Sequence, residues 1–492
     1  MTEETPAQDV LTVRRQKLER LRAKGIEPFA LRFDRDATAR DLQRKHDRLA
    51  AGASSGEVVR VAGRLVGLRR MGKLTFGVLR DGTGDIQLFL ERGTLGEDGV
   101  VLLEELDIGD WVGAEGEVIR TDRGELSVKP TRLVLLTKSL RPLPEKWHGL
   151  RDAELRYRRR YLEFATDAGA RRVIEARAQA LSALRAELGG RGFVEVETPM
   201  LHVTPGGAIA RPFVTHHRAL DIDLHLRIAI ELYLKRLLVA GVERVYEIGR
   251  NFRNEGIDRD HNPEFTMLEA YQAFGDYETM MELGQALIVA VARAVRGSLR
   301  FEYRGRELNL EGDWRRITVL GSVADATGED ISLDRPDLGD VARRHGIDVH
   351  PTWGPGKIVL ELFEKLVERE IWDPTFVCDF PREVSPLARP HRSDPGVVEH
   401  YDLVMAGMEL IPAYSELSDP DEQRRSFEIQ QEARQKGEEE THPLDEDFLV
   451  ALEHGMPPAG GLGLGIDRLL MIIADVPSIR DVILFPALRP EA

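Results

Sequence analysis

Cysteine is almost absent. Cys378 is the only one among 492 residues, which excludes an internal disulfide and suits a reducing compartment. Long apolar runs are also missing, and none approaches the roughly 20 residues that a membrane-spanning helix needs. The opening MTEETPAQDVL is acidic and has no apolar centre, so it does not read as a secretory signal. The expectation is a cytoplasmic protein with no membrane partner. Positive charge is in deficit: 68 Lys and Arg face 84 Asp and Glu, a net −16. Such a body argues against nonspecific nucleic-acid binding, while leaving room for a local basic track. There is no Ser-His-Asp elbow, no His/Cys metal spacing, no internal repeat and no low-complexity tract. A hydrophobic fraction of 42% and a charged fraction of 31% are ordinary for a soluble globular chain, here long enough for two or more domains.

The basic track appears first near the start. Residues 9–24, DVLTVRRQKLERLRAK, read as a helix stopped by Gly25 and Pro28. Its six basic residues against Asp9 and Glu19 reverse the sign of the whole chain, which suits contact with a nucleic-acid backbone. Residues 58–138 change character. Five short alternating runs, broken by Gly and Asp turns, predict a small Greek-key barrel of OB type. Such barrels stack single-stranded bases on aromatic rings beside basic groups. Phe76 and Gln87 fall on neighbouring strands, with Arg69 and Arg70 close by. The string GLRRMGKL (67–74) imitates a phosphate loop but ends in Leu74 where Ser or Thr is required, and it lies in a barrel strand. A Pro- and Arg-rich connection follows, expected to touch RNA. From about residue 165 the rest reads as one large α+β unit. It opens with a helix over 170–188 that stops at Gly189–Gly190, then a strand in GFVEVETPML with Val194 and Val196 on one face.

The most informative stretch is Glu243–Phe274, ERVYEIGRNFRNEGIDRDHNPEFTMLEAYQAF. Alternation places Glu247, Asn251 and Arg253 on one face of a first strand, and Phe265, Met267, Glu269 and Tyr271 on one face of a second. The Gly-, Asp-, Asn- and Pro-rich segment between them is turn material. One hairpin face thus offers a guanidinium, a flat ring, a carboxylate and a phenol. These suit a phosphate, a base and an ammonium respectively.

FRNEGIDRDHNPEFTMLEAY resembles motif 2 of the class II aminoacyl-tRNA synthetases, in the form found in the lysine-specific members. ETPML, around Pro199, is similar to their motif 1, which implies a homodimer interface, and AGGLGLGIDRLLMIIADV (459–476) is similar to motif 3. The resemblance implies an α+β chain: an N-terminal helical extension (1–57), an OB-fold anticodon-binding domain (58–138), a linker (139–164) and a class II catalytic domain (165–492) built on an antiparallel sheet flanked by helices. It implies ATP-dependent activation of lysine and transfer to the 3′-terminal adenosine of tRNA(Lys). Arg253 and Arg468 are then the catalytic cations, and Glu255, His261, Asn262 and Phe265 complete the ATP site, with adenine between Phe265 and Arg468. Asp402 and Glu409 would hold Mg2+, and a turn at Ala406–Gly407 is expected to bring them together. Lysine would be seated by Gly207, Glu231, Arg253, Glu269, Tyr271, Tyr414 and Glu416, with Glu416 meeting the ε-ammonium. Arg69, Phe76, Gln87 and Glu125 would read the anticodon.

Several positions depart from the resembled pattern. Pro412 stands where relatives often have Asn, Tyr414 where Phe is usual, Ile230 where Pro is common, and Asp260 beside the triphosphate path, leaving Arg259 as a candidate for the γ-phosphate. Pro412 and Asp260 are the features that a noncatalytic tRNA-binding paralogue would carry. An aspartyl- or asparaginyl-tRNA synthetase shares the architecture but wants Arg or an amide opposite the substrate side chain. The polar segment 435–448 reads as a mobile surface loop, and 334–356 as an insertion without an assigned role.

Overall fold

A computed structural model describes residues 4–144, 152–435 and 443–490. Residues 145–151 of the expected linker and 436–442 of the expected loop lie outside the described residues. The chain divides into two compact units, Met1–Leu150 and Arg151–Ala492.

The first unit is a closed barrel of β1 (Ser54–Met71), β2 (Leu74–Arg80), β3 (Asp85–Glu91), β4 (Trp111–Arg120) and β5 (Leu126–Thr137), in the order β1-β2-β3-β5-β4. Period-two burial explains it. In β2 and β3 every second residue is buried, so Leu79, Ile86, Leu88 and Leu90 fill the interior with Leu65, Val112 and Val128. The phosphate-loop imitation runs from the end of β1 through its turn into β2. The basic helix Glu4–Ala23 turns Leu18 and Leu21 inward. Three of its five basic residues are taken up in docking rather than left for RNA. Arg14 donates to the carbonyls of Ser139, Arg141 and Ile108, Lys17 pairs with Asp107 at 2.6 Å, and Arg20 with Glu105 at 2.8 Å.

The second unit carries the remaining strands: β6 (Val194–Glu195), β7 (Leu201–His202), β8 (Val214–His217), β9 (Ile222–Leu226), β10 (Arg244–Phe252) and β11 (Glu264–Ala273). Then come β12 (Arg300–Tyr303), β13 (Arg306–Asn309), β14 (Arg315–Thr318), β15 (Thr375–Pro381), β16 (Val397–Met405), β17 (Met408–Ser415) and β18 (Ala459–Gly465). Eight of them form one sheet, β14-β15-β16-β17-β18-β11-β10-β6, antiparallel except at the β14–β15 and β10–β6 pairs. Its apolar face packs on the helices Ala168–Gly190, Tyr277–Arg296 and Ile466–Ala474, whose Leu184, Leu188, Leu287, Ile288, Leu470 and Ile473 are buried. Asp276 and Thr279 cap the middle helix reciprocally, and Gly297 at φ 70° ends it.

Three expectations change on folding. The strand predicted in GFVEVETPML shrinks to β6, where Val194 is exposed and Val196 half-buried, because its pairing with β10 ends at the bond from the Val196 N–H to the Tyr246 carbonyl at 2.9 Å. The Arg-rich connection is helical over Ala153–Arg158 and Arg160–Thr166. Arg160 there is buried on Glu163 and the carbonyl of Asp481 rather than presented to RNA. Residue 446 already opens the helix Glu446–Glu453, capped by Asp445, where loop was expected.

Lys138, at the end of the barrel, has no exposed side chain, and its ammonium meets Asp107 at 2.7 Å, Asp110 at 2.8 Å and the carbonyl of Glu105 at 2.8 Å. Removing one partner of a buried ion pair strands the other charges. Lys138→Met is therefore expected to destabilise the chain by about 3–5 kcal/mol in urea unfolding. A loss under about 1 kcal/mol, the ordinary worth of an exposed pair, contradicts this reading.

Candidate active site

The site is built where large side chains face glycines. In the sheet register Met267 lies opposite Gly465, Glu269 opposite Gly463 and Tyr271 opposite Gly461, while Tyr414 flanks Gly461 from the other side. The glycines leave room above β18, and the neighbouring strands fill its rim with functional groups. A Cβ on Gly461 would stand 2.1 Å from Glu416 Oε1 and 2.4 Å from Tyr271 Cε1, so only glycine fits there. The hairpin face is as expected from alternation, since Glu247 lies opposite Glu269 and Asn251 opposite Phe265. Arg253 sits just past the end of β10.

Two cavities abut over this floor. The first is lined by Arg253, Glu255, His261, Asn262, Phe265 and Arg468, together with Asp260, Glu409 and Pro412. The Arg253 guanidinium stands 5.1 Å from the Phe265 ring centre, and burial works against its charge while Glu255 and Glu409 favour it. Arg468 is held by the Glu409 carbonyl at 2.9 Å and by His261 Nε2 at 3.1 Å. Asn262 is buried, donating its amide to the Glu264 carbonyl at 2.6 Å. Asp467 organises the wall: its carboxylate accepts from the Thr266 N–H at 2.7 Å and pairs with Arg177 at 2.5 Å, tying β11 to two helices. Arg259, considered above for a phosphate, is paired with Asp260 at 2.9 Å.

The second cavity is lined by Gly207, Glu231, Arg253, Glu269, Tyr271 and Tyr414, and by both Asp402 and Glu409. Arg253, Met267, Glu409 and Pro412 belong to both cavities. Gly207 has φ +84°, and a Cβ there would reach 3.0 Å from the Cβ of Glu231. Glu269 accepts from the Ile230 N–H at 3.0 Å and from Tyr271 Oη at 3.2 Å. A proline at 230, lacking an N–H, could not make the first bond. Burial, aided by the nearby Glu231 carboxylate, pushes the Glu269 carboxyl up to about 7.

Glu416 is placed differently from the expectation. It is buried but does not line the second cavity; it lies behind the wall, against Lys235 Nζ at 2.5 Å. Its neighbour Gly461 has no side chain to hold the carboxylate off, so Glu416 tucks behind Tyr271 instead of pointing outward. Lys235, Glu364, His400 and Phe380 carried no expectation as site residues. Lys235 was legible as one helical turn beyond Glu231, whereas the others come together only through the sheet and a separate helix.

The turn at Ala406–Gly407 forms as expected, with φ 54° and 69°, the left-handed pair of a tight hairpin. It sets Glu409 opposite Val404, two residues along from Asp402, so both acids share a face. An irregularity at Leu403/Val404 shifts the register so that Pro412 joins them there. Burial, then repulsion from Glu409, holds the Asp402 carboxyl well above its usual range. His400 Nε2 meets Asp402 at 3.0 Å, and its ring lies 3.9 Å from that of Phe380 and 4.4 Å from that of Tyr414. Burial holds this imidazole down to about 3, hence neutral. Among the described residues, no three His, Cys, Asp or Glu side chains are gathered to enclose a metal.

On the barrel, Arg69, Phe76, Gln87 and Glu125 line one groove with Phe89 and Lys129. Phe76 is half-exposed on the outer face, 5.5 Å from Phe89 edge-to-face, and is not part of the barrel core. The Gln87 amide donates to Ser127 Oγ at 2.8 Å. Arg70 is turned away, donating to the carbonyls of Leu103 and Leu106.

The fold and these sites define a class of protein. A family described as tRNA synthetases class II (D, K and N) matches residues 152–489, and one described as OB-fold nucleic acid binding domain matches 59–136. The chain belongs to the class II tRNA synthetases. Among its relatives, a protein named lysine–tRNA ligase from Moorella thermoacetica is 49% identical over 487 residues, covering 98% of each chain. One of the same name from a Synechococcus species is 51% identical over 481 residues, covering 97% of this chain and 98% of the relative. A third, from Syntrophomonas wolfei, is 48% identical over 482 residues, covering 98% and 97%.

A side chain at 461 should damage the second cavity first. Gly461→Ala is expected to destabilise the chain by about 1–3 kcal/mol through overpacking and to weaken ligand binding beside Tyr271 more than nucleotide binding. Calorimetric titration of each ligand separates the two effects, and equal weakening of both contradicts the placement.

Proposed function

We propose that the chain uses ATP to activate lysine as lysyl-adenylate and then transfers the lysyl group to the 3′-terminal adenosine of tRNA(Lys). The observation that carries this is the shared Arg253 between two abutting cavities, one faced by a flat ring and Arg468, the other faced by carboxylates. Family membership supplies the ATP chemistry, and the near-complete coverage of relatives named lysine–tRNA ligase supports the amino acid. In this reading Phe265 and Arg468 hold adenine between them, and Arg253 holds the substrate carboxylate against the α-phosphate. The carboxylate oxygen attacks phosphorus, and pyrophosphate leaves. No protein nucleophile is needed, because positioning and charge stabilisation carry such a step. Arg253 and Arg468 face the charge that develops on the phosphate.

The acids of the second cavity select a cationic amino acid. Glu231 and Gly207 take the α-ammonium, while Glu269 and Tyr271, backed by Glu416, favour the ε-ammonium over the carboxylate of aspartate. Asp402 and Glu409 fit a magnesium ion: they share a face, repel one another and adjoin the cavity common to both substrates. The ion would neutralise phosphate oxygens. The barrel groove takes the anticodon, with Phe76 as the stacking ring. Self-association as a homodimer is supported by apolar side chains left exposed around β6–β9, including Val194, Val203 (70%), Val214 (61%) and Leu220 (65%). The single buried cysteine fits a cytoplasmic location, and among the described residues no helix is long and apolar enough to cross a membrane.

Amino-acid-dependent exchange of pyrophosphate into ATP tests the proposal. Lysine should support it; exchange with aspartate or asparagine and not with lysine overturns it. The pH dependence has a definite sign. Glu269 gains its charge as pH rises through about 7, and an ammonium binds the charged form better, so KM for lysine should fall between pH 6 and 8. Glu269→Gln should raise KM and remove that slope; a slope that survives assigns it to another group. Phe76→Ala should weaken tRNA binding by roughly 1–3 kcal/mol with exchange intact. Equal loss in both assays points to barrel collapse.

A further inference from the structure

A buried ammonium lies behind the wall of the second cavity. Lys235, on the helix Glu231–Val239, has no exposed side chain. Its Nζ lies 2.6 Å from Glu231 Oε1, one turn earlier on the same helix, and 2.5 Å from Glu416 Oε2, just beyond β17. The first contact is a directed hydrogen bond. The second is an ion pair outside hydrogen-bond geometry, which leaves both Glu416 oxygens without a directed donor. Lys235 is not on the cavity wall: Glu231 stands in front of it and Tyr271 stands in front of Glu416.

Three buried carboxylates therefore converge here from three elements: Glu231, Glu269 on β11, and Glu416. The other polar and charged groups facing them are Tyr271 and Tyr414, and Arg227, which is itself paired with Glu247 at 2.5 Å. One resident ammonium faces three carboxyl groups, two of which hold a proton more tightly than usual, while lysine brings two ammonium groups and its carboxylate belongs to Arg253.

We propose that Lys235 is a positioning and specificity-determining residue, which ties Glu231 on the cavity wall to Glu416 behind it, so that their negative charge is set in place for the ammonium groups of lysine. This rests on the reading of the second cavity as a lysine site. The physical reason is the cost of a buried carboxylate. Without an opposite charge such a group keeps its proton, and burial already pushes Glu416 upward, with Glu231 and Glu269 adding repulsion and Lys235 opposing it. An acid that keeps its proton meets an ammonium poorly, and the proton must leave before lysine binds.

The test compares the wild-type chain with Lys235→Met and Lys235→Arg, titrating lysine and norleucine, which has a similar stem and no ε-ammonium, between pH 7.5 and 8.5. Wild-type affinity for lysine should rise by about threefold across this window, as Glu416 loses its proton around 8 while Glu269 is already mostly ionised. Lys235→Met should bind lysine at least about tenfold more weakly at pH 7.5 and recover as pH rises, by up to about tenfold per pH unit. Its preference for lysine over norleucine should fall in parallel. Lys235→Arg keeps the charge and should restore both the shallow wild-type profile and the preference. Wild-type affinity together with a wild-type slope in Lys235→Met overturns the proposal. So does a loss that is the same at every pH and is not rescued by arginine, since that is loss of packing alone. If Lys235→Met does not fold, Lys235→Arg decides: a lost lysine preference, or a pH slope steeper than that of the wild type, overturns the idea. A wild-type chain that binds no lysine overturns the underlying site reading before the variants are compared.

Discussion

Among the described residues, Arg253 is the one Arg or Lys that lines the second cavity, beside five carboxyl groups, and it stands where the two cavities meet. Its position depends on a chain of constraints. The β10–β11 hairpin must hold its register so that Phe265, Met267 and Glu269 face the glycines of β18. Asp467 must hold β11 to the helix that follows β18, through the Thr266 amide and Arg177. A slip of one residue would send every functional group on β11 to the opposite face. The guanidinium is retained against burial because Glu255 and Glu409 oppose the loss of its charge.

The carboxylates need the complementary explanation. A cavity lined by Glu231, Glu269, Asp402 and Glu409 is destabilising to the empty protein, and the structure meets that cost with backbone and phenol donors, with partial protonation, and with a resident ammonium. Glu269 uses the Ile230 amide, Tyr271 and a raised affinity for its proton. Glu231 and Glu416 use Lys235. Asp402 uses a neutral His400 held between two rings, with Ser385 Oγ 2.9 Å from its other ring nitrogen. Function and stability are opposed at this site, as is usual for preorganised charge.

The barrel shows a different economy of charge. The net positive helix ahead of it uses Arg14, Lys17 and Arg20 to fasten itself to Ile108, Asp107 and Glu105. Basic residues counted along a sequence are thus a poor measure of charge available to RNA. What the groove keeps is more specific: Phe76 and Phe89 edge-to-face, with Arg69 and Lys129 beside them.

Local periodicity by itself determined much of this protein. Alternation placed Phe265, Met267, Glu269 and Tyr271 on one face, turn chemistry placed the Ala406–Gly407 reversal, and the glycine run with Asp467 placed the last strand and its helix. Each depends on neighbours a few residues apart. Tertiary structure alone decided which acids face the cavity. Glu416 looked like the ammonium seat, yet the glycine opposite Tyr271 let it retreat behind the wall to Lys235, 181 positions earlier in the chain. Likewise the short β6 and the buried Arg160 follow from what packs beside them. Burial and charge pairing are set by groups distant in the chain, and no pattern of spacing carries that information.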